Sequence, residues 1–292
     1  VIALLLALQT PDADVLNLND GQYILRHTDK RSLSIDSKSS AIKIDAAGKP
    51  LELMGGAQGL TLRGQTANAI LTKLPDGTYR LDSADIDGAA HVIVDSRTAD
   101  EYLTAHGQKP TGGDQSWSEL TSAGLLLQSS NGQQTVSSAT PIDLSDRRSN
   151  RNSSEQGVLT GMRCLITLGV DPVDGRERVI AGTVEGNVHY HVIQTQLHPD
   201  KAPTVTEYDV KTDRLVLDFT KPEGTVKAMG HVHWTQMGGG VPFASDDDLA
   251  VLKTDPNRQI QSITGTGEPT RTVVPLEQKS PAPVPKKRKH KK

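Results

Sequence analysis

Four short stretches of alternating apolar residues recur near the start of the chain: Leu33-Ser-Ile35, Ile42-Lys-Ile44, Leu51-Glu-Leu53 and Leu60-Thr-Leu62. Their starts fall nine residues apart, and Gly, Ser, Asp, Asn or Pro stands between them. Side chains on a strand alternate between faces, so a period of two with turn residues at intervals specifies short strands that each bury one face. Repeated at this spacing, the pattern excludes a helical bundle. It leaves a meander in a sandwich or the stacked rungs of a solenoid. The Gly-Gly-x-Gly-x-Asp pattern of calcium-binding nonapeptide repeats is missing, so calcium is not expected here.

The series continues through Ile70-Leu71, a Pro75-Asp76-Gly77 turn, Tyr79-Arg-Leu81 and His91-Val-Ile-Val94. Pro presets φ and Gly accepts positive φ, so this tripeptide between alternating segments marks a hairpin. A short helix is expected over 98–106. Residues 107–157 are rich in Gly, Ser, Thr, Gln and Asn and end in Asp146-Arg-Arg-Ser-Asn-Arg. They read as a polar linker or surface excursion. A second β-rich block, 158–263, follows the first at 1–106. Its strands are expected at 162–169, 178–184, 187–196, 204–209, 214–219 and 226–235, with turns at Pro172 to Gly175 and Lys221 to Gly224. A helix capped by Ser245, with Asp246 to Asp248 in its first turn, is expected over 246–253. The fold class is therefore all-β, an antiparallel sandwich or jelly-roll-like body in two blocks.

The final segment, 264–292, cannot form a core. Its end holds Lys286, Lys287, Arg288, Lys289, Lys291 and Lys292 and resembles a monopartite nuclear localisation signal. Residues 279–292 carry seven basic and no acidic groups, which leaves 25 basic against 35 acidic in residues 1–278. An acidic body repels nucleic acid, so binding to nucleic acid, an import receptor or an anionic surface falls to this disordered tail. The opening run Val1 to Leu8 is too short to span a bilayer. It reads as a buried first element or as the remnant of a signal peptide, the second implying secretion.

No phosphate loop, dinucleotide fingerprint or nucleophile elbow is found. The single cysteine, Cys164, sits among Leu165, Ile166 and Leu168 and reads as a buried strand residue. The one pattern that suggests chemistry is a pair of His-x-His strands, His189 with His191 and His231 with His233. Residues two apart share a face, so four imidazoles converge on Zn or Cu if the two strands pair.

Gly230-His-Val-His233 resembles the way copper-zinc superoxide dismutases place two ligands. That family's downstream ligands are missing, because only His290 follows. The cupin arrangement is incomplete as well, since no Glu follows His191 at the required distance. The phrase Ser40 to Asp45 with Gly59 to Gly64 is similar to the β-repeats of phage and secretion-system needle proteins. The sequence thus points to a structural or binding protein, a component of a larger assembly such as a virion, that associates with itself or with other subunits. A metal-dependent β-barrel enzyme and a nuclear protein acting through its tail are the alternatives.

Overall fold

A computed structural model describes residues 15–18, 22–28, 34–36, 41–110, 114–130, 133–239 and 242–267. The first strands are β1 (Val15–Leu18), β2 (Tyr23–Thr28), β3 (Ser34–Asp36), β4 (Ala41–Gly55), β5 (Leu60–Lys73) and β6 (Tyr79–Asp95). Helix α1 (Ser96–Ala105) separates them from β7 (Gln115–Ser130), β8 (Gln133–Ser138), β9 (Ile142–Ser149), β10 (Ser153–Gly161) and β11 (Arg163–Val170). The last are β12 (Glu177–His198), β13 (Lys201–Asp218), β14 (Thr225–Gly238), β15 (Phe243–Thr254) and β16 (Ile260–Thr266). All belong to one antiparallel sheet.

The long strands β4 to β7 and β12 to β15 outrun the stretches of alternation in the sequence because they cross a crease. The register steps between Ala47 and Leu51 in β4, Arg63 and Thr66 in β5, and Asp87 and Ala90 in β6. It steps again between Glu185 and Val188 in β12, Lys211 and Arg214 in β13, and Met229 and Val232 in β14. Inserted residues bend a strand and sharpen its twist. At three of these steps two consecutive residues take positive φ: Gly88 with Ala89, Gly186 with Asn187, and Gly230 with His231. Carbonyls freed at the creases find other donors: the Met162 N–H reaches those of Glu185 and Gly186, and a hydroxyl serves the β14 crease. Thr212 Oγ1 donates to the carbonyls of Met229 at 2.8 Å and Gly230 at 3.1 Å.

The crease turns one sheet into two layers. The first half of β7 pairs with β9 and its second half with β8. The first half of β12 pairs with β11 and its second half with β10. The layers face one another across the core: the Leu81 amide of β6 donates to the Tyr23 hydroxyl of β2 at 3.0 Å, and the Ile260 amide of β16 to Gln194 Oε1 of β12 at 3.1 Å. Across the crease the inward positions keep their phase in β6, β12 and β14 and shift by one in β4, β5 and β13, where Ile44 and Ala46 give way to Leu51 and Leu53, Leu62 to Ala67 and Ala69, and Val210 to Leu215. In β6, Ala84 and Ile86 before the crease and Ala90, Val92 and Val94 after it are all buried. One core runs the length of the molecule, and the expected all-β sandwich is what forms.

Local expectations fared unevenly. The strands expected at 178–184 and 187–196 are two halves of β12, and those at 204–209 and 214–219 are two halves of β13. Residues 107–157, expected as a polar linker or surface excursion, hold β7, β8, β9 and the start of β10, all within the sheet. Their inner face is built from Leu120, Leu125, Leu127, Val136, Ile142 and Leu144, spaced by polar residues that face outward. The helix expected at 246–253 is strand β15. Ala250, Leu252 and Thr254 alternate into the interior there, and pairing with β14 outweighs the local capping signal. Helix α1 matches its expected place. The basic tail, 279–292, and the opening run, 1–8, lie outside the described residues.

Candidate functional site

Strand β13 lies between β12 and β14, so the two His-x-His motifs are not neighbours. The register runs from His189 to Lys211 to His233. Two strand spacings, about 10 Å, separate imidazoles that had been expected to meet on one ion. Each imidazole instead takes a carboxylate from the adjacent strand. His189 Nε2 lies 2.5 Å from Asp209, His191 Nε2 2.8 Å from Glu207, His231 Nδ1 2.7 Å from Asp213, and His233 Nδ1 2.6 Å from Asp246. Among the described residues no group of three or more His, Cys, Asp or Glu is placed to hold a metal ion. The convergence expected for Zn or Cu is therefore absent, because a strand intervenes.

His189 and His191 do share the outer face, as the alternation requires. His231 sits in the crease at φ 45°, fully in solvent, where its hydrogen bond to Asp213 raises its pKa above the usual imidazole value. A fifth pair of the same kind, His91 with Glu119 at 2.8 Å, bridges β6 and β7. Exposed pairs of this sort are screened by solvent and add little to stability. Cys164 is a buried strand residue, as expected; burial pushes its thiol up to about 11, which leaves it inert as a nucleophile at neutral pH.

The densest group of titratable side chains lies in the interior and was not singled out in the sequence. One row of the inner face reads Ser116, Arg148, Glu155 and Gln194 across β7, β9, β10 and β12. The next row places Ser118 beside Asp146, which accepts its hydroxyl. From the other layer the turn between β11 and β12 inserts Asp171, with Arg178 following on β12. Asp171 is 1% exposed and accepts from Arg258 at 2.8 Å, with Arg178 at 3.8 Å and Arg148 at 4.0 Å. Arg178 also pairs with Asp174. Arg258 further donates to the Phe219 carbonyl at 3.1 Å and stacks on that ring at 4.5 Å. The neighbouring Arg176 ties the same turn to α1 through Asp100 at 3.0 Å.

Three arginines (148, 178, 258) thus meet four carboxylates (146, 155, 171, 174), an excess of one negative charge. Glu155 resolves the imbalance. Burial, with Asp146 adding to it against the pull of Arg148, pushes its carboxyl up to about 7. Protonated, it still accepts from Gln194 Nε2 at 2.7 Å. Burial also tends to raise Asp171, but the hydrogen bond from Arg258 holds it below the usual carboxylate range. Tyr190, on the same inner face, is raised by burial and by the Glu155 charge. The cluster fastens the two layers together, with the Glu155 carboxyl raised by burial and Asp171 held ionised by Arg258.

The signal that marked this cluster is the inner-face alternation itself. Ile142, Leu144, Asp146, Arg148 and Ser153, Glu155, Gly157, Leu159 carry charge into a face that is otherwise apolar. Comparison with protein-family models, with curated proteins and with solved structures gave no match for this chain.

Proposed function

We propose that the protein is a structural or binding component of a larger assembly, joined to further copies of itself through the open edges of its folded sheet. The observation that carries this reading is the state of those edges. Among the described residues β1 pairs only with β2 and β16 only with β15, and the first half of β15 pairs only with β14. An edge strand presents a row of unpaired N–H and C=O groups, which proteins usually protect with Lys, Pro or bulges. Neither β1 (Val-Leu-Asn-Leu) nor β16 (Ile-Gln-Ser-Ile-Thr-Gly-Thr) carries a charge or a proline. The two edges lie at opposite ends of the strand order, so contact between them is head to tail and does not close on itself as a two-fold dimer does.

Sedimentation velocity across a wide concentration range tests this reading. Mass is expected to grow stepwise with concentration. Ser262→Lys with Thr264→Lys, both exposed on β16, is expected to return the protein to single protomers without loss of thermal stability. A single-protomer mass for the unaltered chain at every concentration, or assembly undiminished in the variant, would overturn it. The charge separation favours one addition: the tail from Lys286 to Lys292 supplies an anionic partner, nucleic acid or an acidic surface, to an assembly whose bodies are acidic. Removing 279–292 is expected to abolish salt-sensitive binding to nucleic acid and leave the unfolding midpoint unchanged.

A further inference from the structure

At the far end of the second half the interlayer space stops being apolar. Along the inner face of β13, Val210 and Tyr208 are followed outward by Thr206 and Thr204. Along β12, Val192 gives way to Gln194 and Gln196. These residues lie side by side in register, Gln194 with Thr206 and Gln196 with Thr204. The turn between β15 and β16 faces them and contributes Asp255, Asn257 and Gln259, with Gln261 at the start of β16 beside it. Together the two walls enclose a mouth of about 330 Å³, with Asn150, Asn152 and Ser153 at its rim and Tyr208 and Ile260 as its buried floor.

The composition of this mouth is selective. Its lining holds seven side-chain amides, several hydroxyls and one carboxylate, Asp255, and no Lys or Arg. The one arginine nearby in sequence, Arg258, turns its guanidinium away to Asp171. Some of the amides are committed to the fold: Gln194 bridges Glu155 and the Ile260 amide, and Asn150 caps the β9–β10 turn at Ser153. The amides of Gln196, Asn257 and Gln259 and the Thr206 hydroxyl carry no hydrogen bond from their side chains to any described residue. Each amide offers two donors and an acceptor, and each hydroxyl offers both roles. The array is fixed by a sheet on one side and by a turn held through Asp255 on the other, where the Asp255 carboxylate accepts from the Gln259 backbone N–H at 2.9 Å.

We infer that this mouth is a binding site for a neutral, polyhydroxylated ligand, an oligosaccharide. Such a ligand matches a grid of alternating donors and acceptors and rests a pyranose ring on Tyr208. An anionic ligand meets Asp255 and no counter-charge. An apolar one leaves the amides without partners on a surface it has dried, which disfavours it strongly. Preformed concave sites with convergent polar groups over an apolar floor are where small ligands bind. The inference does not depend on how copies of the chain assemble.

The experiment uses the full chain, labelled so that side-chain amide resonances are visible, and four neutral probes: maltohexaose, cellohexaose, chitohexaose and mannohexaose. Inorganic phosphate and decanoate serve as comparators. At least one hexasaccharide is expected to bind saturably and to shift the side-chain amides of Gln196 and Gln259, while neither comparator shifts them. Thr206→Val with Gln259→Met, which keeps shape and removes the polar groups, is expected to weaken that binding tenfold or more at an unchanged unfolding midpoint. Because the amide shifts are read on the unaltered protein, a variant that fails to fold leaves the test intact. Binding of none of the four sugars, shifts caused by decanoate or phosphate instead, or a folded variant that binds equally well would overturn the assignment.

Discussion

The two halves of the molecule share one architecture and fill it differently. From β2 to β6 the interior is apolar from end to end. Leu25, Leu53, Leu62 and Val92 in one layer face Ile44, Leu71, Leu81 and Ile86 in the other, all buried. The end of that half is closed by α1, whose Tyr102 lies so close to Gly56 that a Cβ there would stand 2.3 Å from the ring. From β9 to β16 the same alternation turns Arg148 and Glu155 inward beside a partly exposed Asp146, a turn buries Asp171 among them, and the space opens through an amide-lined mouth. The fold needs only that inward positions be occupied at period two. What occupies them decides whether a half acts as ballast or as a site.

The largest expected effect breaks the charged half. Asp171→Ala leaves Arg148, Arg178 and Arg258 without their shared carboxylate and is expected to cost about 3–5 kcal/mol in urea unfolding. In the apolar half, Leu81→Ala removes a fully buried side chain and is expected to cost about 2–5 kcal/mol. Its effect should not change with pH, whereas that of Asp171→Ala should.

Glu155 sharpens the contrast further. Its folded pKa, about 7, lies above the unfolded value of 4.5. The folded state therefore holds a proton that the unfolded state releases between these values, and stability is expected to fall as pH rises from about 4.5 through about 7. Glu155→Gln is expected to flatten that part of the profile and to raise the midpoint at pH 8. An unchanged profile would mean that Glu155 is ionised inside.

At the crease, Ala89 holds φ at 52°, a conformation glycine adopts without steric penalty. Ala89→Gly is expected to stabilise by about 1 kcal/mol in thermal unfolding. Smallest is His231→Ala. The folded pKa of His231 is raised, so its contribution is present below about 6.5 and lost as pH rises through the folded value. The variant should be weakened only at acidic pH.

Much of the strand pattern was legible because apolar alternation is a direct consequence of strand geometry. Ile42-Lys-Ile44 and Leu51-Glu-Leu53 were both read correctly as strand. They were separated because Gly48-Lys-Pro50 looks like a turn, and here it lies at a crease within one strand. The same substitution of crease for turn cut β12 at Gly186-Asn187. Local sequence reports that the chain bends, not whether it reverses. Residues 142–155 were read as polar because composition was weighed over the whole stretch, while burial acts on every second residue. His189, His191 and His233 stand on strands at outward positions, while His231 falls in the crease. Their convergence depended on which strand lies beside which, and β13 between them belongs to topology that no local pattern encodes.

Hydrogen exchange followed residue by residue under increasing denaturant tests the division between a closed half and an open one most directly. Amides of β5 and β6 from Leu60 to Val94 are expected to exchange only through global unfolding, with rates that rise steeply with denaturant. Amides around the mouth, at 196–206 and 255–261, are expected to exchange faster through local opening that denaturant barely alters. Uniform protection across both halves, or a first half that opens before the mouth does, would contradict the account.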